Sequence, residues 1–213
     1  MAHELAATGA GHGTLVVAEC QTAGRGRQGR VWHSPPGGLW LAVVIRPPSR
    51  PEPGPLALRV GLAVAETLTR FLAATRRVGL KWPNDLLLDG HKVGGVLCEA
   101  RWLGGETRWV AVGVGINLTN AVPSDVAHGA TTAGDLPREQ VAGALAEAIA
   151  GMRDGPGLDR DELGRLGRFD ALRGSRLTEP LAGIARGIAA DGALLIETAD
   201  GVEAARDGSP RLA

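Results

Sequence analysis

The stretch that most restricts the fold is GRGRQGRVWHSPPGG, Gly24 to Gly38, which follows the apolar run TLVVAEC. Gly24, Gly26 and Gly29 sit at the G-x-G-x-x-G spacing of a dinucleotide-binding fingerprint. That fingerprint works only when a helix follows at once, because the helix N-terminus supplies the free N–H groups that hold a pyrophosphate. Here Pro35, Pro36, Gly37 and Gly38 follow within a few residues and forbid such a helix. No acidic strand end comes about 20 positions later, since Glu52 lies inside a proline-rich loop. A doubly wound dinucleotide fold is excluded, and a P-loop fails because no G-x-x-x-x-G-K-[ST] occurs. What remains is a glycine-loosened loop carrying Arg25, Arg27 and Arg30, whose guanidiniums suit bidentate contact with carboxylate or phosphate. Such a loop is expected to order when an anion arrives. The plainer readings are an RNA-type arginine–glycine tract or a solvated charge run.

Charge argues for a local site. The 23 basic residues balance 23 acidic ones, so no global field draws the chain to nucleic acid or a membrane surface. Cys20 and Cys98 match no metal or redox spacing and read as thiols of a reducing cytoplasm. No apolar run reaches the roughly 20 residues that cross a bilayer, and the opening MAHELAATGAGHG has no signal-peptide pattern. These features point to a cytoplasmic protein.

Periodicity predicts a mixed α/β domain followed by a small β module. TLVVAEC reads as a buried strand, Gly37–Pro47 as a second, and Pro47–Pro55 as a loop. Leu58, Leu62, Ala65, Leu68 and Leu72 predict a helix over 56–77. Val78–Trp82 reads as a strand ended by Pro83. Leu86–Leu88 and Lys92–Glu99 form a hairpin across Asp89-Gly90, and Arg108–Leu118 is a further strand whose glycines imply a close backbone approach. Helices are expected over 135–152 and 158–172. Beyond Gly174 come short strands in RLTEPLAGIARGI and ALLIETA, a tail of about 40 residues with too little core to stand alone.

A second dense stretch is KWPNDLLLDGHKVGGVLCE, Lys81 to Glu99. Pro83 stops ladder pairing, so Asn84 and Asp85 project at a strand end. Asn84 offers both donor and acceptor, and Asp85 can position a metal ion, a water or a lysine. Lys81 and Lys92 are the only lysines, against 21 arginines, and both flank this turn. In so arginine-rich a chain, their retention suggests a need for a compact ammonium.

QTAGRGRQGRVWHSPPGGLWLAVVIRP, KWPNDLLLDGHKVGGVLCEA and VGVGINL, in this order and spacing, resemble the biotin protein ligases. The resemblance runs from about residue 5 to the end and is strongest over 14–120. It implies an α+β fold: a class II synthetase-like domain over 1–172, with a mixed sheet packed by helices, and an SH3-like β domain over 173–213. It implies ATP and biotin as substrates with Mg²⁺, a biotinyl-5′-AMP intermediate, and transfer to a lysine of a biotin carboxyl carrier domain. By the family's motifs, Gln21, Gly24, Arg25, Gly26 and Arg27 face biotin and the adenylate. Lys92 matches the lysine at the biotin carboxylate and reacting phosphate, and Gly95 a backbone contact on the biotin side. Lys81 pairs with phosphate, Asn84 and Asn117 contact the nucleotide, and Trp32 packs on the closed loop. Asp85 meets the incoming carrier lysine or Mg²⁺, so the expected catalytic set is Lys92, Arg27 and Asp85, with no protein-only metal cage. Asn117, Trp32 and Arg30 have equally plain readings as structural residues.

The family also places a strand and a Ser-Thr-Asn turn, which meets biotin's ureido ring, ahead of a helix. MAHELAATGAGHG matches the latter part of that helix and no S-T-N tripeptide occurs, so an N-terminally shortened member is expected. No helix-turn-helix is seen, so no DNA partner is expected, nor is a membrane; a homodimer is compatible. Rival readings are a homologue that binds adenylate or carrier without turnover, a lipoate or octanoate ligase, and a basic-loop nucleic-acid binder.

Overall fold

The computed structural model describes residues 1–48, 52–103, 106–123 and 129–213. The chain runs α1 (Ala2–Ala7), β1 (Thr14–Ala18), β2 (Leu39–Ile45), α2 (Pro53–Phe71), β3 (Val78–Lys81), β4 (Asp85–Leu88), β5 (His91–Leu103) and β6 (Glu106–Ile116). It continues through α3 (Arg138–Ala150), α4 (Arg160–Phe169), β7 (Arg176–Glu179), β8 (Gly183–Ile188), β9 (Leu194–Thr198), β10 (Gly201–Ala205) and β11 (Arg211–Leu212). The first sheet has the order β1-β2-β6-β5-β4-β3 and the second β10-β9-β8-β7-β11. The α+β class is as expected. Pairings between these strands are antiparallel; parallel geometry is confined to the isolated bridges Leu80↔Asp170 and Lys92↔Ala130.

β2 explains the layering. Its LWLAVVI run is buried along almost its whole length, as expected of a strand covered on both faces. Leu39, Leu41, Val43 and Ile45 join the core beneath α3, which packs on α2, itself laid over β3–β5. Trp40 and Ala42, on the opposite face, line a cavity. β1 departs from expectation: it is an edge strand, paired with β2, and Val17 is 43% exposed. Its β-branched content fits a strand, but burial depends on neighbours that composition does not reveal.

Helix limits shift for local reasons. α2 starts at Pro53, because the missing proline N–H would be an orphan in the first turn anyway. It ends at Phe71, not residue 77, and Leu72 turns extended. The residues after it form a turn, Arg76 N–H to Ala73 O at 2.9 Å, that delivers Arg77 to the Asp89 carboxylate. α3 and α4 are likewise shorter than expected at both ends. The β5–β6 hairpin is longer than the apolar pattern indicated, because Ala100–Leu103 is a mostly exposed arm. β10 and β11 also escaped the pattern, since Ala205 is their only buried residue among those described.

Polar contacts tie the second sheet to the rest of the chain at the seam. Trp82 Nε1 donates to Gly192 O at 2.9 Å and Leu158 N–H to Ala190 O at 2.7 Å.

Candidate active site

The arginine stretch folds into an arch. Gln21 N–H reaches Ser34 O at 3.0 Å, Trp32 N–H reaches Gly24 O at 3.0 Å and Gly26 N–H reaches Arg30 O at 2.7 Å. A single 3-10 turn, Arg27–Gly29, forms the tip, with Gln28 and Gly29 at positive φ of 57° and 73°. No longer helix follows, in keeping with the prolines downstream. Gly24 has a steric reason: a Cβ there would lie 2.3 Å from Trp32 O and 2.8 Å from Ser34 Oγ. Gln21 is tied to the base of the arch, its Oε1 accepting from Ser34 Oγ at 2.6 Å.

The lysine-bearing turn faces this arch. β3 ends at Lys81 and β4 begins at Asp85, with Gly95 opposite Asp85 in the ladder. Lys92 Nζ lies 2.5 Å from Asp85 Oδ1 and 5.3 Å from the centroid of the Trp32 ring. Trp32 in turn lies flush on β6: a Cβ at Gly115 would stand 2.5 Å from its Nε1. This is the close approach that the glycines of β6 implied. Trp32 also meets Trp40 edge-on, ring centroids 6.5 Å apart. The indole N–H of Trp32 is buried with no acceptor among the described residues.

A cavity of about 990 Å³ opens between these elements. Of the residues singled out in the sequence, Gln21, Arg25, Gly26, Arg27, Trp32, Lys81, Asn84, Asp85, Lys92, Gly95 and Asn117 line it. Gly24 does not; it shapes the arch behind. Arg25 is exposed and makes no ion pair among the described residues, so its donors are open to a ligand. Asn84 and Asn117 have part of their capacity committed. Asn84 Nδ2 donates to Val96 O at 2.9 Å. Asn117 Nδ2 donates to Thr131 O, and its Oδ1 accepts from Asn120 Nδ2, both at 3.2 Å. Both asparagines therefore also brace the walls.

The site combines an anion-binding mouth with an apolar floor. Arg25, Arg27, Arg30, Lys81 and Lys92 line it and outnumber the carboxylates Asp85 and Glu99 and the Asp207 that pairs with Arg27. A concave, low-dielectric setting concentrates that excess. The floor is made by small or apolar residues of the first sheet, among them Val16, Ala18, Ala42, Leu97 and Gly113. Strand alternation carries that signal, but a run buried on both faces gives no clue to which face is hollow. Two lining residues come from the second sheet's last segment, Ser209 and Pro210, which the sequence reading left out. Among the described residues no group of three His, Cys, Asp or Glu side chains is placed to hold a metal ion, and no helix is long and apolar enough to cross a membrane.

The chain is similar in sequence and fold to known proteins. Residues 3–117 match the model of the Biotin/lipoate A/B protein ligase family, and residues 173–206 that of the Biotin protein ligase C terminal domain. The bifunctional ligase/repressor BirA of Bacillus subtilis is 36% identical over 222 residues, 95% of this chain and 67% of its own length. The biotin--[acetyl-CoA-carboxylase] ligase of Paracoccus denitrificans is 37% identical over 135 residues, 63% of this chain and 55% of its own. A biotin protein ligase from Aquifex aeolicus, solved in complex with biotin and ATP, superposes with a TM-score of 0.81 at 28% identity, covering 99% of this chain and 93% of that one.

Proposed function

The chain belongs to the biotin/lipoate A/B protein ligase family, and from that premise we propose that it attaches biotin to a lysine of a biotin carboxyl carrier protein, using ATP and passing through biotinyl-5′-AMP. The observation that carries this reading is the convergence of the arginine arch and Lys92 on one cavity with an apolar floor. An acyl-adenylate has an apolar acyl part and a charged phosphate, and the cavity offers a place for each. Residues 1–172 supply the catalytic domain and 173–213 a small β domain that closes one side of it.

In the first step a carboxylate oxygen of biotin attacks the α-phosphorus of ATP. The bond from that phosphorus to the bridging oxygen breaks, and pyrophosphate leaves. In the second, the carrier's lysine amine attacks the acyl carbon, the acyl–oxygen bond breaks, AMP leaves and the amine gives up a proton. Both steps gather negative charge on phosphate oxygens, so positioning and fixed positive charge do most of the work. Lys92 serves the carboxylate and the reacting phosphate, and Arg25 and Arg27 bind the adenylate from the arch. Lys81, Asn84 and Asn117 line the nucleotide side. Asp85, now paired with Lys92, is the group that receives the carrier lysine. Trp32, on the nucleotide side with Lys81, Asn84 and Asn117, packs on the closed arch and helps exclude water from the mixed anhydride. Mg²⁺ would be held by phosphate oxygens of ATP together with Asp85 and would offset the phosphate charge.

Biotin-dependent exchange of pyrophosphate into ATP tests this reading. Exchange that requires biotin is the expected result. Exchange driven by lipoate or octanoate instead would move the chain to the other branch of its family. No exchange with any of these acids, in protein that is folded, would leave a binding homologue.

A further inference from the structure

Two asparagines follow β6 directly, in the turn NLTN at 117–120. Both line the cavity and both are buried, Asn117 at 8% and Asn120 at 5% exposure. Their hydrogen bonds form a chain whose direction is set at each end. The Leu118 N–H, which can only donate, reaches Asn120 Oδ1 at 3.0 Å. The Ala121 carbonyl, which can only accept, receives Asn120 Nδ2 at 3.2 Å. The Asn120 amide therefore faces one way, and Nδ2 also donates to Asn117 Oδ1 at 3.2 Å. At the far end, Asn117 Nδ2 donates to the Thr131 carbonyl at 3.2 Å. Both neighbours select the same orientation of the Asn117 amide. One N–H and one oxygen lone pair of that amide remain, in a fixed order.

The chain is tied to the strand that carries Lys92. Asn117 N–H bonds Val93 O at 2.7 Å, and Thr131 N–H bonds Lys92 O at 2.9 Å. On the other side, Thr119 N–H bonds Gly37 O at 2.9 Å, and a Cβ on Gly37 would lie 3.2 Å from Asn120 N.

We propose that Asn120 is a positioning residue that sets nucleotide selectivity: it fixes the Asn117 amide in the orientation that matches the edge of adenine and mismatches that of guanine. The inference rests on the reading of Asn117 as a nucleotide contact given above. Adenine presents a ring-nitrogen acceptor beside an amino donor, and one amide in one orientation satisfies both. Guanine carries a carbonyl where that amino group stands, so it needs the amide turned over. Turning Asn117 over would set its N–H against the Asn120 N–H and its oxygen against the Thr131 carbonyl. Buried groups would then lose their partners. Without the Asn120 amide, Thr131 alone opposes the turn.

Selectivity is read on the full chain as the ratio of kcat/KM for ATP to that for GTP, in biotin-dependent pyrophosphate exchange. Asn120→Ala should lower this ratio about tenfold, with KM raised for ATP, lowered for GTP and unchanged for biotin. Asn120→Asp keeps an acceptor for the Leu118 N–H but has no amide N–H for Asn117, and it should lower the ratio too. Asn117→Ala should also lower it, and adding Asn120→Ala to that variant should change nothing more, because Asn120 acts through Asn117. An unchanged ratio in both Asn120 variants overturns the proposal. So does a further fall when Asn120→Ala is added to Asn117→Ala, or an effect confined to the thermal midpoint. Calorimetric titration of the same proteins with ATP and with GTP gives the ratio of Kd values and repeats the test without chemistry. A wild type that prefers ATP in binding yet supports no exchange would end the ligase reading alone, and the variants would still decide the role of Asn120. A wild type with no preference for ATP would end this proposal.

Discussion

Lys92 and Asp85 form a 2.5 Å ion pair at the mouth of the cavity, one strand apart in the ladder. The pair fixes the direction of the Lys92 side chain, which lines the cavity beside Trp32. It also gives Lys92 a partner that an incoming carboxylate and phosphate must replace.

Replacing Lys92 with Ala should lower biotin-dependent exchange by about 10²–10³-fold, the usual cost of losing one fixed donor at developing charge. Arginine should not restore it, because a planar fork cannot occupy the place of a compact ammonium against Trp32. Exchange within tenfold of wild type in Lys92→Ala would remove Lys92 from the reacting phosphate.

The contact between Gly115 and Trp32 leaves no room for a methyl group. Gly115→Ala must displace the indole, at a cost of about 1–3 kcal/mol in stability. Because Trp32 belongs to the arch, biotin affinity should fall as well. Thermal unfolding and a titration with biotin check both. A variant with unchanged midpoint and unchanged affinity would mean that Trp32 is not seated on β6.

The thiols should react very differently. Cys20 is exposed, whereas burial, with a smaller push from Glu99, raises the Cys98 thiol to about 12. An aromatic disulfide reagent at neutral pH should label one thiol in the native protein and two in denaturant. Mass analysis should place the first on Cys20.

Acid stability should turn on the buried pair of Arg59 and Glu162, 2.7 Å apart. Burial pushes the Glu162 carboxyl up, but the hydrogen bond and charge of Arg59 and the Asp159 N–H outweigh it and hold it below its ordinary 4.5. The folded value is depressed, so this stabilisation is complete above about pH 4.5. It is lost as pH falls through the folded value. Glu162→Gln leaves Arg59 buried without a counter-charge and should cost about 3–5 kcal/mol at neutral pH. Its stability should then vary less than the wild type's below pH 4.5. Parallel acid limbs for the two proteins would refute the assignment.

Much of the first sheet could be read from sequence because its signals are local. Pro35 and Pro36 ruled out a helix after the glycines, and Asp89-Gly90 closes the β4–β5 hairpin with both residues at positive φ, 52° and 84°. The strand ends at Lys81 and Asp85 followed from Pro83 in the same way. What escaped depends on distant neighbours. Val17 is exposed because β1 is an edge strand. Asp207 and Ser209 reach the arch only because the second sheet packs beside it. GVEAARDGSPRLA carries no apolar period that would mark its last residues as a cavity wall.

The bond from the Trp82 indole to the Gly192 carbonyl bears on how this chain can be divided. The indole is 3% exposed and sits one residue after Lys81. A break between residues 172 and 173 that let the small sheet drift away would take that acceptor with it and uncover the indole, a large apolar ring, to water. The two family matches are separate, 3–117 and 173–206, yet the seam is interior in the folded molecule. A split reporter or a minimal catalytic fragment made from it would have to cover the Trp82 ring again to keep the lysine-bearing turn in shape.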